Sequence, residues 1–488
     1  MDDQHEDKAK EHVEDSLEQV MGLISRHKLV ESLVHKQDMP KHELIESLVH
    51  KQNLVELTKK LDNLHPADVA YILEALPLED RLLVWDLVKA ERDGEILIEV
   101  SDAVRETLID AMNNRELVAA AASLDTDEIA DLAPDLPKDV VQELMKSLDH
   151  AKRAQVESSL SYDDDSVGAL MDYDFVTIRA DVTLETALRY LRRLGDLPEH
   201  TDKLFVVERD QILIGTLPLK RMLVHDPDAH VAAVMSDEPV TFRPSDEASD
   251  AAQAFERYDL VTAPVVDAND RLVGRLSVDV VLDYIREEAE SDMLQAAGLR
   301  EDEDLFTTVW KAARNRWMWL GINLCTALVA SRVVGAFEGS ISQLAALAAL
   351  MPIVAGMGGN SGNQTSTLVV RGFALGLINK DNARRLLAKE LGIAALNGAV
   401  WGSIMGVVAY LLYRDAPLGG VSAVALGGVM ASAMLLNLVV AALAGYFAPA
   451  IIDRFGRDPA FGSAVLTTFI TDSMGFFIFL GLATVFLL

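Results

Sequence analysis

Hydrophobic residues follow two different patterns along the chain, and the change falls near residue 315. Before it, apolar positions recur at helical or strand spacing among polar ones, which is typical of water-soluble domains. After it, apolar stretches follow one another to the carboxyl end. About 20 residues suffice to cross a hydrocarbon core, so the pattern predicts five membrane spans, at residues 317–337, 341–377, 387–413, 421–452 and 461–488.

The second span, with 37 residues, is too long for one straight crossing. Pro352 and the glycine-rich stretch 356–362 predict a bent or unwound segment, which a membrane tolerates only where it is packed in protein or lines water. The uncharged oxygens of Asn360, Asn363 and Gln364 suit a hydrated cation, so these residues are pore-lining candidates. Close helix packing through small residues is the other interpretation, and it holds for some of the segment in either case.

Two aspartates, one within the last span and one just before it, are candidate cation ligands. Asp472 has apolar residues on both sides for several turns, and a carboxylate at such depth costs about 2.5–3.5 kcal/mol. Since this span contains no Lys or Arg to pair with it, we expect Asp472 to face a pore; capping of a helix after a short break is the alternative. Asp458, before Pro459, is an ordinary helix start that near a pore would attract cations.

Charge is distributed as unevenly as hydrophobicity. From residue 316 onward there are 10 Lys or Arg and 7 Asp or Glu, whereas the first 315 residues contain 34 basic and 69 acidic ones. Such acidity argues against nucleic acid as a partner, because phosphates need Lys and Arg, and it leaves cations as natural ligands. Cys325, the single cysteine, lies in an apolar run, so we expect no disulfide within the chain. The polar residues 1–10 predict no cleavable signal peptide.

The Lys and Arg residues around the spans predict the orientation in the membrane. If the acidic half is cytoplasmic, only Arg332 and Arg414 face outward, and ten basic residues face inward: Lys311, Arg314, Arg316, Arg371, Lys380, Arg384, Arg385, Lys389, Arg454 and Arg457. We therefore expect a multi-pass protein of the cell (inner) membrane with its amino-terminal domains in the cytoplasm. Five crossings then place Leu488 outside.

Residues 1–165 have a helical pattern. KLVESLVHKQ at 28–37 recurs as ELIESLVHKQ at 43–52, which predicts an amphipathic helical pair with His35 and His50 on its surface. From residue 58 onward short helical units alternate with prolines, and HPADVAYILEALP resembles TDEIADLAPDLP. We predict a small stack of helical repeats, an architecture typical of interaction or regulatory modules.

Between residues 167 and 290, strands and helices alternate in two similar halves. Each half has a strand, a helix, two strands and a closing helix, an arrangement that resembles a tandem pair of CBS (cystathionine-β-synthase) domains. Nucleotide-binding repeats of that family usually contain Gly-x-x-Thr/Ser-x-x-Asp. Here the first repeat has Pro218 and Arg221 in place of the hydroxyl and the acid, and the second has Asp279 one residue early, so ATP is a doubtful ligand.

An acidic stretch, 283–304, connects the CBS-like region to the membrane half. Its first part continues the last helix, on which Glu288 and Asp292 share a face. We interpret these two as cation ligands that connect a regulator to a pore. Residues 301–304 are interpreted as a solvated charge run.

The fold class is therefore multi-domain, with an α-helical repeat domain, an α+β CBS pair and an all-α membrane domain. We place the boundaries at 1–57 for a helical extension, 58–165 for the helical domain, 166–285 for the CBS pair (166–230 and 231–285), 286–315 for an acidic linking helix and 316–488 for five membrane helices. No nucleophile-and-base set suggests catalysis, so we expect no enzyme.

The order of these parts resembles the MgtE-type magnesium channels over about residues 61–488, with PIVAGMGGNSGNQ in the second span and LTTFITD in the fifth. The resemblance implies a homodimer with ten spans and a pore on the twofold axis. It assigns cation selectivity to Asp472 and the inner mouth to Asp458. Backbone carbonyls near Thr468 would complete a water-mediated Mg²⁺ site.

The resemblance also implies a cytoplasmic Mg²⁺ sensor, whose acids fall on Glu95, Asp127, Asp131, Glu247, Glu256, Asp259, Asp283, Glu288 and Asp292. One acid of the family corresponds to Val280, which weakens at least one site. Carboxylates without a cation repel one another and keep the domains apart. Bound Mg²⁺ reverses the sign, draws the domains together and closes the pore, which is negative feedback.

Two rival functions remain. A proton- or sodium-coupled carrier could use the same membrane aspartate, but the sequence suggests no second buried acid or His to share the cycle. A membrane-anchored nucleotide sensor without transport would explain the CBS pair, but neither Asp472 nor the glycine–asparagine motif.

Overall fold

The computed structural model describes residues 3–34, 54–300, 303–379, 382–415, 420–455, 459 and 462–488. The chain forms two compact units, which we call the acidic unit (Met1–Glu288 with Asp304–Thr307) and the membrane unit (Ala289–Glu303 with Thr308–Leu488). Three residues that the sequence singled out, His35, His50 and Asp458, lie outside the described residues.

The acidic unit begins with helices. A long helix, α1, spans Asp3–Val34, and shorter ones follow: α2 Pro66–Glu74, α3 Leu78–Trp85, α4 Asp93–Glu99, α5 Asp102–Ala111, α6 Asn114–Ala122, α7 Thr126–Leu132, α8 Lys138–Ser147 and α9 His150–Ser159. Their apolar faces meet in one core that includes Leu73, Leu97, Leu108 and Ile129. The predicted helical domain is confirmed.

Two helix starts of this domain are fixed by capping boxes, in which a side chain and the Glu three residues later exchange hydrogen bonds with each other's backbone. Asn113 pairs in this way with Glu116 at the start of α6, and Asp125 pairs with Glu128 at the start of α7. The capping box at Asp125 fixes where α7 begins, and this helix carries Asp127 and Asp131 in its first two turns.

The rest of the acidic unit has the predicted two similar halves. The first contains α10 Val167–Leu170, β1 Thr177–Arg179, α11 Leu184–Leu194, β2 Lys203–Val207, β3 Leu213–Pro218 and α12 Leu219–Val224. The second contains α13 Val231–Val234, α14 Ala248–Tyr258, β4 Thr262–Val266, β5 Leu272–Ser277 and α15 Val278–Ala296. β1 pairs in parallel with β2, and β2 in antiparallel with β3. In the second half β4 and β5 are antiparallel, and a parallel bridge between Phe242 and Val265 takes the place of β1.

The acidic stretch before the membrane helices is more ordered than the sequence suggested. α15 is one helix from Val278 to Ala296, and Gly298, with φ +76°, follows it. The interpretation of residues 301–304 as a solvated charge run is wrong for the two residues that are described, because the side chains of Glu303 and Asp304 are each only 7% exposed. Glu303 pairs with Arg316, 13 residues later, and Asp304 pairs with Arg81, 223 residues earlier.

The membrane unit contains α16 Val309–Ala336, α17 Glu338–Gln343, α18 Ala346–Ala374, α19 Ala383–Tyr413, α20 Ala423–Arg454 and α21 Ser463–Phe486. Among the described residues, four of these helices are long and apolar enough to cross a membrane: α16, α19, α20 and α21. α18 has 29 residues but carries the polar glycine–asparagine motif, which lowers its mean hydropathy. The count of five crossings therefore stays a prediction.

The sequence predicted a bent or unwound segment in the second span, and the structure shows no unwound segment there. α18 runs without a break through Pro352 and the glycines 356–362, and the chain is interrupted earlier, between α17 and α18. The physical reason is packing. Side chains of α20 and α21 fill the space beside Gly358 and Gly362, so the helix stays continuous and needs no water-lined gap, although Pro352 has no N–H to donate to the preceding turn.

Candidate functional site

Asp472 lies well inside α21, the helix that begins at Ser463 after the left-handed Gly462 (φ +82°). It is the tenth residue of a continuous helix, so the alternative that it caps a helix after a break is wrong. The side chain is half-buried, and no ion pair reaches it from the residues that the structure describes. A membrane carboxylate without a basic partner is a natural place for a cation.

The helix that carries Asp472 packs directly on the glycine–asparagine motif. Thr467 and Thr471, four residues apart, lie against α18, where Thr467 meets Gly362 and Thr471 meets Gly359. Asp472 is the next residue after Thr471 and so lies at the edge of this contact. The hydroxyl of Thr471 donates a hydrogen bond to the Thr468 carbonyl at 3.0 Å. Inside the continuous helix that oxygen also accepts a backbone amide, so both of its lone pairs are used.

A side chain that the sequence did not single out holds the three helices together. Asn437 on α20 is fully buried and lies between Gly358 of α18 and Gly475 of α21. Its amide donates a hydrogen bond of 2.9 Å to the Val354 carbonyl, and its Oδ1 finds no hydrogen-bond partner among the residues that the structure describes. Because both glycines lack a Cβ, the amide fits between the backbones, and the position of Asp472 relative to the motif depends on it.

The predicted pore-lining side chains lie on two sides of α18. Gly356, Asn360 and Gln364 follow one another at a spacing of four and are exposed on the surface of this unit. Asn363 is half-buried, and its Oδ1 has no hydrogen-bond partner in the described part of the chain. A polar stripe on a membrane helix must meet water or another protein surface, because lipid offers it no hydrogen bonds.

A second buried acid is present in the membrane unit, against the expectation from the sequence. Glu390 on α19 is 6% exposed. Thr365 of α18 donates a hydrogen bond of 3.1 Å to its Oε2, and the Lys389 ammonium is 3.4 Å from its Oε1. The sequence did contain a signal, because Glu390 lies within the predicted span 387–413. Its basic neighbours, such as Lys389, are typical of the inner loop and masked that signal.

Several sensor candidates of the helical domain face acids of the CBS-like halves. Burial away from water, together with the smaller effect of the negative charge on the nearby Asp172, raises the pKa of Asp127 to about 7. Loss of water also raises the pKa of Glu128, with smaller contributions from Glu95 and Glu199. Asp172 is bound by Arg275 at 2.6 Å, so this side of the interface is partly neutralised. Sequence reasoning missed Glu128 and Asp172, whose proximity depends on how the two domains pack.

Other candidates face α15. Burial raises the pKa of Glu287, and the negative charges of Asp131 and Asp102 raise it further. Burial also raises the pKa of Glu99, and the negative charge of Asp283 adds to this effect. Asp131 is 3.2 Å from the buried Arg105 guanidinium and 61% exposed on its side chain, so it remains open to a further ligand.

The remaining candidates divide into two groups. Desolvation raises the pKa of the Tyr284 hydroxyl, and Glu288, Asp165 and Glu247 add to the effect, which places these three acids around one phenol. Glu256 and Asp259 lie exposed at the other end of α14 from Glu247, about 14 Å along the helix. Asp292 follows Glu288 by one turn on α15.

No three His, Cys, Asp or Glu side chains within the described parts of the chain come close enough together to hold a metal ion by themselves. The acids approach one another in pairs across domain boundaries. A cation bound to such a pair would take its other ligands from water, which suits Mg²⁺ because it keeps several waters in most protein sites.

Comparison with known proteins agrees with this architecture. The family model described as a divalent cation transporter matches residues 351–482, the model of the MgtE intracellular N domain matches 64–165, and the CBS model matches 167–226 and 231–287. The magnesium transporter MgtE of Thermus thermophilus is 30% identical over 439 residues, which cover 88% of this chain and 95% of that protein. The chain belongs to the MgtE family of magnesium transporters.

Other relatives carry the same description. The magnesium transporter MgtE of Bacillus subtilis is 26% identical over 88% of this chain and 93% of its own length, and that of Enterococcus faecalis is 30% identical over 68% and 72%. Among solved structures, the cytosolic domain of the Mg²⁺ channel MgtE in complex with ATP is 30% identical, with 49% of this chain and 98% of that chain covered and a TM-score of 0.44.

Membership of this family confirms three expectations from the sequence. The protein is a membrane transporter of Mg²⁺, it contains CBS domains, and it is not an enzyme. The rival function of a nucleotide sensor without transport is thereby set aside.

Substitution of Gly358 by Ala should destabilise the membrane unit. The new Cβ would collide with the Asn437 amide and break its hydrogen bond to Val354, at a cost of about 1–3 kcal/mol. Thermal unfolding in detergent should show a midpoint several degrees lower. Gly356→Ala is the matched control, because no described residue has an atom within 4 Å of the added Cβ. Equal midpoints for the two variants would contradict the role given to Asn437.

The raised pKa of Asp127 predicts a dependence of stability on pH in metal-free buffer. Because the folded pKa lies above the unfolded one, the contribution of Asp127 is complete below about pH 4 and is lost as the pH rises through about 7. Asp127→Asn cannot titrate, so its stability relative to the natural chain should increase by about 1–2 kcal/mol between about pH 5.5 and pH 8. Chemical unfolding at both pH values measures this, with the exposed Asp110→Asn as control. A difference that does not change with pH would contradict the prediction.

Proposed function

We propose that the chain is a homodimeric Mg²⁺ channel that cytoplasmic Mg²⁺ closes. Mg²⁺ crosses the membrane unit past Asp472, with Asp458 at the inner mouth. The acids of the helical domain, the CBS pair and α15 detect the ion on the cytoplasmic side. Closure at high Mg²⁺ then gives negative feedback on uptake.

The observation that carries this proposal is the apposition of carboxylates across domain boundaries of the acidic unit. Asp127 lies near Asp172, and Glu287 near Asp131. Two such charges 4 Å apart repel by about 4 kcal/mol at an effective dielectric of about 20. A divalent cation turns this repulsion into attraction, so a few weak sites together supply the free energy that moves a two-state gate.

The homodimer and the pore are supported by the polar stripe of α18. Asn360 and Gln364 are exposed on a helix that lipid would otherwise surround. A second copy of the chain would cover this stripe, or enclose water against it. Uncharged oxygens together with one carboxylate per subunit can hold a hydrated Mg²⁺ and still release it.

The orientation follows from the basic residues near the spans. With the acidic unit in the cytoplasm and five crossings, the inner side carries ten Lys or Arg and the outer side two. The carboxyl end then lies outside the cell membrane. ATP stays a possible but doubtful ligand in the proposal, since Pro218 replaces a hydroxyl and Asp279 lies one residue early.

Mg²⁺ flux into proteoliposomes tests the channel. Asp472→Ala should lower saturable flux about tenfold or more, because the ion loses a ligand worth at least about 1.4 kcal/mol. Several millimolar Mg²⁺ on the cytoplasmic side should suppress flux through the natural chain. Asp415→Ala, which removes an exposed acid paired with Arg414, is the control and should keep its flux. Unchanged flux in Asp472→Ala would remove the proposed selectivity site.

A coupled carrier is a second candidate, because Glu390 supplies the further buried acid that it requires. A carrier should move H⁺ or Na⁺ with every Mg²⁺, and Glu390→Gln should abolish that movement while its amide oxygen still accepts the Thr365 hydrogen bond. A channel should show Mg²⁺ current without a coupled ion, and Glu390→Gln should conduct normally. Flux of both ions in the same proteoliposomes decides between them, with Glu338→Gln at the start of α17 as control.

A further inference from the structure

The helical domain contains a repeated buried arginine that the sequence did not single out. Arg81 on α3 and Arg105 on α5 are 24 residues apart, with exposed fractions of 0% and 4%. Each donates from Nε to the carbonyl eight residues earlier, at 2.9 Å: Arg81 to Leu73 and Arg105 to Leu97. The two guanidinium groups therefore occupy equivalent places in two successive helix pairs.

The two arginines differ in what neutralises them. Arg105 finds its acids within its own domain, with Asp131 at 3.2 Å and Asp135 at 3.1 Å. The residue 24 positions before Asp131 is Thr107, whose hydroxyl is 3.4 Å from Arg81 Nη1. The residue 24 positions before Asp135 is Ala111. The first repeat thus has neutral residues where the second has acids.

The acid for Arg81 comes from 223 residues away in the sequence. Asp304 binds the guanidinium with two hydrogen bonds, of 2.8 Å from Nη1 to Oδ2 and 3.2 Å from Nη2 to Oδ1. Its side chain is 7% exposed, and Oδ1 also accepts a hydrogen bond of 3.0 Å from the Phe306 amide. In the portion of the chain that is described, Asp304 is the carboxylate paired with Arg81. Removal of an acid from a buried guanidinium is costly, because neither water nor another charge replaces it.

We propose that the pocket around Arg81 is a docking site for Asp304, through which the helical domain holds the chain just before the first membrane helix. Only four residues separate Asp304 from Val309, where α16 begins. Movement of the helical domain therefore either carries the start of α16 with it or breaks the ion pair.

The direction of the effect rests on the proposed function. The docked conformation is also the one in which acids of the helical domain lie near α15, as with Asp131 and Glu287. The proposed function assigns that apposition to the Mg²⁺-bound, closed channel. Docking of Asp304 therefore stabilises closure, and loss of docking should weaken inhibition by cytoplasmic Mg²⁺.

Two substitutions release Asp304 without removing the buried arginine. Asp304→Asn removes the charge of the docked residue. Thr107→Asp places an acid beside Arg81, as Asp131 is placed beside Arg105. The new carboxylate competes with Asp304 for Arg81, and the guanidinium charge stays neutralised when Asp304 leaves. The controls are Glu303→Gln, which removes a neighbouring acid paired with Arg316, and Thr107→Asn, which adds a similar volume without charge.

Hydrogen exchange of the full-length protein in detergent, at millimolar Mg²⁺, measures docking directly. Peptides that cover α3 and residues 303–310 should exchange faster in Asp304→Asn and Thr107→Asp than in the natural chain or the two controls. In proteoliposomes, the cytoplasmic Mg²⁺ that halves flux should rise about fivefold or more in the same two variants. Thr107→Asp in the Asp304→Asn background should add nothing, because the two act on one ion pair.

Each result decides a part of the inference. Unchanged exchange in Asp304→Asn would overturn docking, and changed exchange with unchanged inhibition would overturn its connection to the gate. An effect of Asp304→Asn without one of Thr107→Asp would overturn the competition that the repeat predicts. If the natural chain shows no inhibition by Mg²⁺ at all, the proposed function fails, and the exchange experiment alone still tests docking.

Discussion

The structure depends on one constraint: a carboxylate away from water needs a positive charge, and this chain has many more acids than bases. Where a basic residue is available, a buried acid forms a close ion pair with it, as Asp304 does with Arg81 and Asp172 with Arg275. Where the described residues offer none, as at Asp472, our proposal leaves the acid for a cation. A magnesium transporter thus uses the same deficit of positive charge to attract its ion and, in our proposal, to measure it.

The membrane unit meets a second requirement, because helices in lipid are held together by close packing and not by the exclusion of water. Glycine allows backbones to approach, and Asn437 uses the space between Gly358 and Gly475 to bond to the Val354 carbonyl. The motif that looked like an interruption is therefore a packing surface on one side. On another side, Asn360 and Gln364 remain exposed on the same helix, so one sequence element serves helix packing and, as proposed, the pore.

Much of the architecture could be predicted from the chain alone, because it depends on local pattern. The helical domain, the two CBS-like halves and the long apolar helices follow from hydrophobic periods of 3.6 and 2 residues and from runs of apolar residues. Asp472 stood out since its neighbours for several turns are apolar. The unbroken α18 was mispredicted because glycine and proline carry the same local signal whether a helix bends or packs. Glu390 was missed because its burial by α18 depends on a contact 25 residues away.

The sequence by itself determined which segments are water-soluble, which are apolar and where the uncompensated acids lie, since composition and period are properties of neighbouring residues. Only the tertiary structure decided which charges meet. The Arg81–Asp304 pair joins residues 223 positions apart, and Asp127 approaches Asp172 across a domain boundary. Electrostatic energy depends on distance and on the exclusion of water, and neither quantity exists until the chain has folded.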